Sequence, residues 1–376
     1  MTGEAREPVS SPAVGRFAGW HLGAALGLRT AVAPAIVYVP LGYLLGPRAL
    51  ALLSTSALGH LDLFVWLALT LLGVFAGIGL DLRTRLDREL LLVASTEAAL
   101  TAGIVAGAMA WLAARWGLPL ANSVAPVALV AGLCAAASAV VAPDGRADST
   151  AGRAARIADL DDLIVIVLGA GALWWHPQAG AASAIGTAAA AVPLGIMLAS
   201  AGLLLFERAR SDAERGTFVL GVLTLLAGTA AYLSLSPLLI GLVAGLVWRW
   251  MPGRADEVIR ADLSKLHHPL VVLLLIIAGA YVVPSRLVIW LVAPFVAFRL
   301  TGKLMGGWAG ARMFPGTTPL DLGARLLPSG LIGIALALHF NQLAGGTLGP
   351  AVVSMVALGA IAFEAMTLAA LAGEPR

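Results

Sequence analysis

With 376 residues, 60% of them hydrophobic and only 12% charged, and a mean hydropathy of +0.92, the chain falls far outside the roughly 25% charge typical of soluble domains. The formal charge of +3 comes from 24 basic against 21 acidic residues; the excess sits in short connections, which excludes a nucleic-acid surface. Cys134 is the sole cysteine, so a disulfide framework or a cysteine-rich metal site is excluded too.

The composition predicts an all-α polytopic membrane protein. Residues 1–28 form a polar tail, carrying Glu4, Arg6, Glu7 and Arg16 without the apolar core of a signal peptide. A spanning helix needs about 20 apolar residues. By that measure twelve spans follow in order: 29–46, 62–81, 89–114, 122–142, 155–175, 180–206, 216–233, 235–250, 266–283, 286–311, 319–341 and 346–372. No connection is long enough for a soluble domain. Alternate connections carry the arginines: Arg83, Arg85 and Arg88; Arg146, Arg153 and Arg156; Arg208, Arg210 and Arg215; Arg254, Arg260 and Lys265. The intervening ones hold little more than Arg48, Arg115 and Arg286. The positive-inside rule then puts both termini in the cytoplasm.

Two spans break the helical pattern. The fourth has a run of small residues around Ser138 with Pro126 and Pro143 near its ends; the eleventh places Pro328, Ser329 and Gly330 side by side. Proline removes a backbone donor and glycine loosens the turn. Irregular backbone at membrane depth is tolerated only where protein buries it or a wet cavity meets it. Interrupted helices in corresponding positions of two halves point to the binding site of a secondary transporter. Kinked packing helices are the competing reading.

Charged residues inside the spans are functional candidates by default. The fifth span carries Asp161 and Asp162 side by side, in Ile157-Ala-Asp-Leu-Asp-Asp-Leu163, and Asp159 shares a face with Asp162 beside Arg156. The tenth carries Arg299 and Lys303 one turn apart. Only two of the 24 basic residues are lysines, and lysine readily gives up its proton when desolvated whereas arginine stays charged. Lys303 is therefore a candidate titrating partner of an aspartate; snorkelling to the surface is the alternative. Glu97, in Ala94-Ser-Thr-Glu-Ala98, reads either as a cavity acid or as one bonded by Ser or Thr. Glu364 reads as the structural partner of a basic group, and Asp81 as an interfacial charge. The histidines show no H-E-x-x-H spacing, and no nucleophile motif stands out; the chain is not expected to be an enzyme or to hold a cofactor.

Taken in order, several segments resemble the monovalent cation/proton antiporter superfamily, in its bacterial Na⁺/H⁺ and K⁺/H⁺ branch. They are Pro40-Leu-Gly-Tyr-Leu-Leu-Gly-Pro47, Phe75-Ala-Gly-Ile-Gly-Leu-Asp-Leu-Arg83, Asp161-Asp162, Leu235-Ser-Pro-Leu-Leu-Ile-Gly-Leu-Val-Ala-Gly245 and Arg299-Leu-Thr-Gly-Lys303. The resemblance implies inverted repeats with the fourth and eleventh helices broken and crossing. It also implies a core at 89–175 and 286–372, a scaffold at 29–81 and 216–283 that forms a homodimer, and a linker helix at 180–206. In its terms Asp162 binds the cation and Asp161 pairs with Lys303. The chain departs from the family at Pro328-Ser329-Gly330-Leu331, where Pro-Arg-Gly-Glu is usual, and offers Ser138 alone where Thr or Asp is usual. Arg325, Glu97 and Glu364 are the candidates to replace those charges.

The expected activity is exchange of Na⁺ (or K⁺ or Li⁺) for H⁺ across a prokaryotic cytoplasmic membrane. Two adjacent carboxylates in a poorly hydrated site titrate as a unit, and a cation or protons neutralise them competitively. Oxygen ligands from Asp161, Asp162, Ser138 and exposed carbonyls suit a hard monovalent cation. K⁺/H⁺ exchange and a non-transporting sensor or binding subunit stand as alternatives. Sodium-coupled uptake of an organic anion is disfavoured by a lysine opposite paired acids.

Overall fold

The computed structural model describes residues 34–80, 88–116, 124–139, 150–173, 180–250, 255–314, 318, 321–344 and 346–372. The expected tail at 1–28, the interfacial charge at Asp81 and the end of the fourth span beyond residue 139 lie outside them. Fourteen helices occur among the described residues. They are α1 (Pro34–Leu45), α2 (Thr55–His60), α3 (Asp62–Gly79), α4 (Arg88–Arg115), α5 (Val124–Ala136), α6 (Thr150–Leu173), α7 (Gly180–Arg208), α8 (Asp212–Tyr232), α9 (Pro237–Trp250), α10 (Ala255–Ala280), α11 (Arg286–Met313), α12 (Leu322–Arg325), α13 (Leu331–Ala344) and α14 (Leu348–Ala372).

Six of these helices are long and apolar enough to cross a membrane, and five shorter apolar helices accompany them. With α6, which carries the charged pair, they correspond one to one with the twelve expected spans. Three boundaries differ instructively. Helix α10 begins at Ala255, eleven residues before the apolar run, because its first turns are amphipathic rather than apolar. The fourth span stops being helical at Ala136, well inside its apolar stretch. The eleventh splits into α12 and α13 around residues 326–330. The short helix α2, capped by the Ser54 hydroxyl on the Ala57 amide, was not expected.

Close backbone approach is written into the glycines. On α3, Gly73 and Gly77 face Leu238 and Leu242 of α9, while Gly241 and Gly245 of α9 face Thr70 and Val74 of α3; a Cβ at any of them would strike a backbone carbonyl. This reciprocal small-residue spacing lets two helices meet without an intervening side-chain layer. A second stripe, Gly302, Gly306 and Gly310 of α11, lies against Thr101, Glu97 and Val93 of α4. Its spacing of four keeps all three on one face. That contact carries Lys303 of α11 into the neighbourhood of Glu97 of α4.

Candidate functional site

The two interrupted segments meet. Residues 137–139 beyond α5 and 327–330 between α12 and α13 are non-helical. They pair antiparallel at Ser138 and Ser329, with the Ala139 amide donating to the Pro328 carbonyl at 2.9 Å and the Gly330 amide to Ala137 at 3.4 Å. Gly330 is required here, since a Cβ would lie 2.8 Å from the Ser138 carbonyl oxygen.

Unwinding two helices leaves carbonyls without intrahelical partners, and buried carbonyls demand donors. Arg299 supplies them. Its Nε donates to Ala135 O at 2.8 Å, Nη1 to Leu327 O and to Ser329 Oγ at 2.9 Å each, and Nη2 to Ala137 O at 3.0 Å and Pro328 O at 3.4 Å. The guanidinium also stacks over Phe363 of α14, 4.3 Å from its ring centroid. A planar fork of five donors suits this task in a way a single ammonium does not. Ser329, at the break of the eleventh span, is therefore an acceptor for Arg299.

One turn along α11, Lys303 is fully buried. Its Nζ donates to Ser138 Oγ at 2.5 Å, to Ala136 O at 2.6 Å and to Glu97 Oε2 at 3.0 Å, with Glu97 Oε1 also at 3.0 Å and Asp161 Oδ2 at 3.6 Å. Thr101 Oγ1 donates to Glu97 Oε1 at 2.9 Å, and Ser138 Oγ to Asp161 Oδ2 at 3.1 Å. The expected ion pair of Lys303 with Asp161 is present at 3.6 Å, and a second carboxylate joins it. Glu97, brought close by the α11 glycine stripe, is the nearer carboxylate, and Asp161 stands in the outer part of the same group. Of the two readings of Glu97, the structure carries the bonded one, with Thr101 as its donor.

Asp161 has no exposed surface, and Asp162 is half-buried. One oxygen of each, Oδ1, is buried without a hydrogen-bond partner. A buried acceptor without a donor is a rare and costly arrangement. Asp159 is exposed on the same helix, and the charges of Asp159 and Lys303 both act on Asp162. Among the described residues, no three His, Cys, Asp or Glu side chains converge as a metal-binding group.

Two expectations are overturned by distance. Arg325 pairs with Asp321 one turn earlier, at 2.7 Å, on a partly exposed surface; the charge that enters the crossing is that of Arg299. Glu364 meets no basic group among the described residues and accepts from the Ala35 and Ile36 amides at 3.3 and 3.0 Å. It caps the start of α1, where free N–H groups and the helix dipole favour an anion. Thr101, Phe363 and the Ala136 carbonyl escaped sequence reasoning. For Thr101 a signal existed, in the matching four-residue spacing of Gly302 and Gly306 with Glu97 and Thr101. A cavity of about 420 Å³ lies behind the crossing between α4, α5 and α6, and its lining of Ala98, Ala102, Leu133, Leu163 and similar residues is apolar.

The structure is similar to that of the sodium proton antiporter MjNhaP1 from Methanocaldococcus jannaschii at pH 8, with a TM-score of 0.64, 15% sequence identity, and coverage of 93% of this chain and 92% of that one. The chain has an antiporter's fold. No family model matches the sequence, and no curated protein matches it. The antiporter fold therefore reaches this chain through backbone arrangement, with few residues in common.

Proposed function

We infer that the chain is a secondary active antiporter that exchanges a monovalent cation, Na⁺ in the first instance, for protons by alternating access. The observation that carries this reading is the buried cluster at the crossing: three carboxyl groups (Glu97, Asp161 and Asp162) with two cations (Lys303 and Arg299), and unpartnered oxygens on both aspartates. With every group ionised the cluster is one positive charge short. A single monovalent cation or a single proton supplies that charge, so the two compete. The empty site remains charged and meets the desolvation barrier of the membrane interior.

Roles follow from the distances. Arg299, engaged with carbonyls from both non-helical segments, holds the crossing and stays charged throughout. Glu97 fixes Lys303. Asp162, half-buried and with one free oxygen, takes the incoming cation, and Asp161 shares the proton through Ser138. The helices at 89–175 and 286–372 form the moving core, those at 29–81 and 216–283 the scaffold of a homodimer, and 180–206 the link between them. The protein sits in a prokaryotic cytoplasmic membrane with both termini inside.

The second reading, a sensor or binding subunit without flux, draws on one observation: Lys303 already fills the oxygens of Ser138, Ala136 and Glu97. Reconstitution into vesicles with a trapped pH dye separates the two. Antiport gives a pH change on adding Na⁺, with K⁺ as the comparison; binding of cation without any pH change favours the subunit.

A further inference from the structure

Helix α13 carries three polar side chains in an apolar run, His339, Asn341 and Gln342, and His339 and Gln342 share one of its faces, three residues apart. His339 has no exposed surface, and neither ring nitrogen has a hydrogen-bond partner; Gln342 Oε1 is likewise buried and unpartnered. Polar atoms in that condition are costly, and nothing in the site at the crossing uses them.

Their neighbours belong to the other half of the bundle. The His339 ring meets Trp66 of α3 edge-on, with centroids 5.4 Å apart. Gln342 Nε2 reaches Asp62 Oδ1 at 3.4 Å. One turn deeper on α13, Leu336 sits over Gly169 of α6, its Cδ1 2.8 Å from where a Cβ would be. Gly169 is seven residues after Asp162 on the same helix face, about 10 Å along the axis. Helices α3, α6 and α13 pack against one another here. From Asp162 toward the end of the bundle opposite the arginine-rich connections, the seam thus runs through Leu336 on Gly169, then His339 with Trp66, then Gln342 with Asp62.

We propose that this α3–α6–α13 seam is an access route to the aspartate pair, closed in this structure, with His339 and Gln342 lining it when it parts. The Asp62–Gln342 and Trp66–His339 contacts are its closed gate. Parting gives water to His339 and to the Gln342 oxygen, so a helix meant to stay packed against α3 has no use for either side chain, whereas a helix that slides along it does. Leu336 over a glycine is the narrowest point, where a small displacement of α13 opens the way to Asp162. The proposal rests on the antiport reading for the direction of traffic alone.

The test uses the full chain in vesicles on a Cys134→Ala background, which removes the one native thiol. Asp62→Cys with Gln342→Cys, joined by a short bifunctional methanethiosulfonate, is expected to lose at least tenfold in cation-driven pH change and to recover on reduction. Undiminished exchange in the joined protein overturns the gate. If the unjoined parent exchanges nothing, the antiport reading fails, and labelling decides the gate separately. His339→Cys reacts with a charged, impermeant methanethiosulfonate only from the face opposite the arginine-rich connections, and Asp62→Ala with Gln342→Ala speeds that reaction severalfold. No reaction, reaction from the other face, or an unchanged rate overturns the proposal. Leu336→Cys, one turn deeper, is a second reporter held to the same outcomes.

Discussion

Lys303 touches Ser138, Ala136 and Glu97 before it comes within 3.6 Å of Asp161, and that order decides what each acid can do. An ion pair with no exposure on either side is weak evidence for stability, but losing one partner strands the other charge, at about 3–5 kcal/mol. Glu97→Gln is therefore expected to lower the unfolding free energy by about 3 kcal/mol, and Glu97→Gln with Lys303→Gln to lose less than the two single losses summed. Denaturant unfolding of the detergent-solubilised protein measures the cycle; additive losses would mean that Lys303 leans on Asp161 instead. The acidic pair and the unusual lysine were legible from residue type and depth alone. Which acid holds the lysine was not, because Glu97 and Lys303 are 206 residues apart, and the helix contact that joins them appears in the sequence only as glycines at every fourth position of α11.

At the scale of the element, the crossing is the feature on which the site depends. Pro328, Ser329 and Gly330 marked the second break plainly. The first was marked only by small residues, since alanine is the strongest helix former and gives no sign of a break, and its end at Ala136 is set by the partner segment with which it pairs. The missing Arg of the eleventh span was sought at Arg325; the structure draws the cation from the neighbouring helix, a substitution that a single sequence does not reveal. Gly330→Ala places a methyl against the Ser138 carbonyl, 2.8 Å away, and is expected to cut exchange at least tenfold while the helical content measured by circular dichroism is unchanged. Arg299→Lys keeps the charge but leaves several buried carbonyls without donors, at about 1–3 kcal/mol each. It is expected to lower the melting temperature even though net charge is conserved; an unshifted melting curve would show that the carbonyls find other donors.

For the whole molecule, the twelve apolar stretches could be delimited because a bilayer forces each span to close its own backbone hydrogen bonds. The alternation of arginine-rich and arginine-poor connections predicts an orientation with both termini in the cytoplasm. A reporter that fluoresces only in the cytoplasm, fused after Arg376, is expected to be bright, and one inserted between α8 and α9 dark; the reverse pattern would invert the gate as well as the termini. Arrangement in space was less accessible to sequence, since the reciprocal glycines of α3 and α9 show that close packing is possible without naming the partner helix. The most direct measurement of the central claim is cation-driven proton movement in vesicles holding the purified chain and a trapped pH dye. A pH change on adding Na⁺ that vanishes in Asp162→Asn, with that variant still folded, is the expected result. A signal undiminished in Asp162→Asn, or no signal with Na⁺, Li⁺ or K⁺ in the unaltered chain, would contradict it.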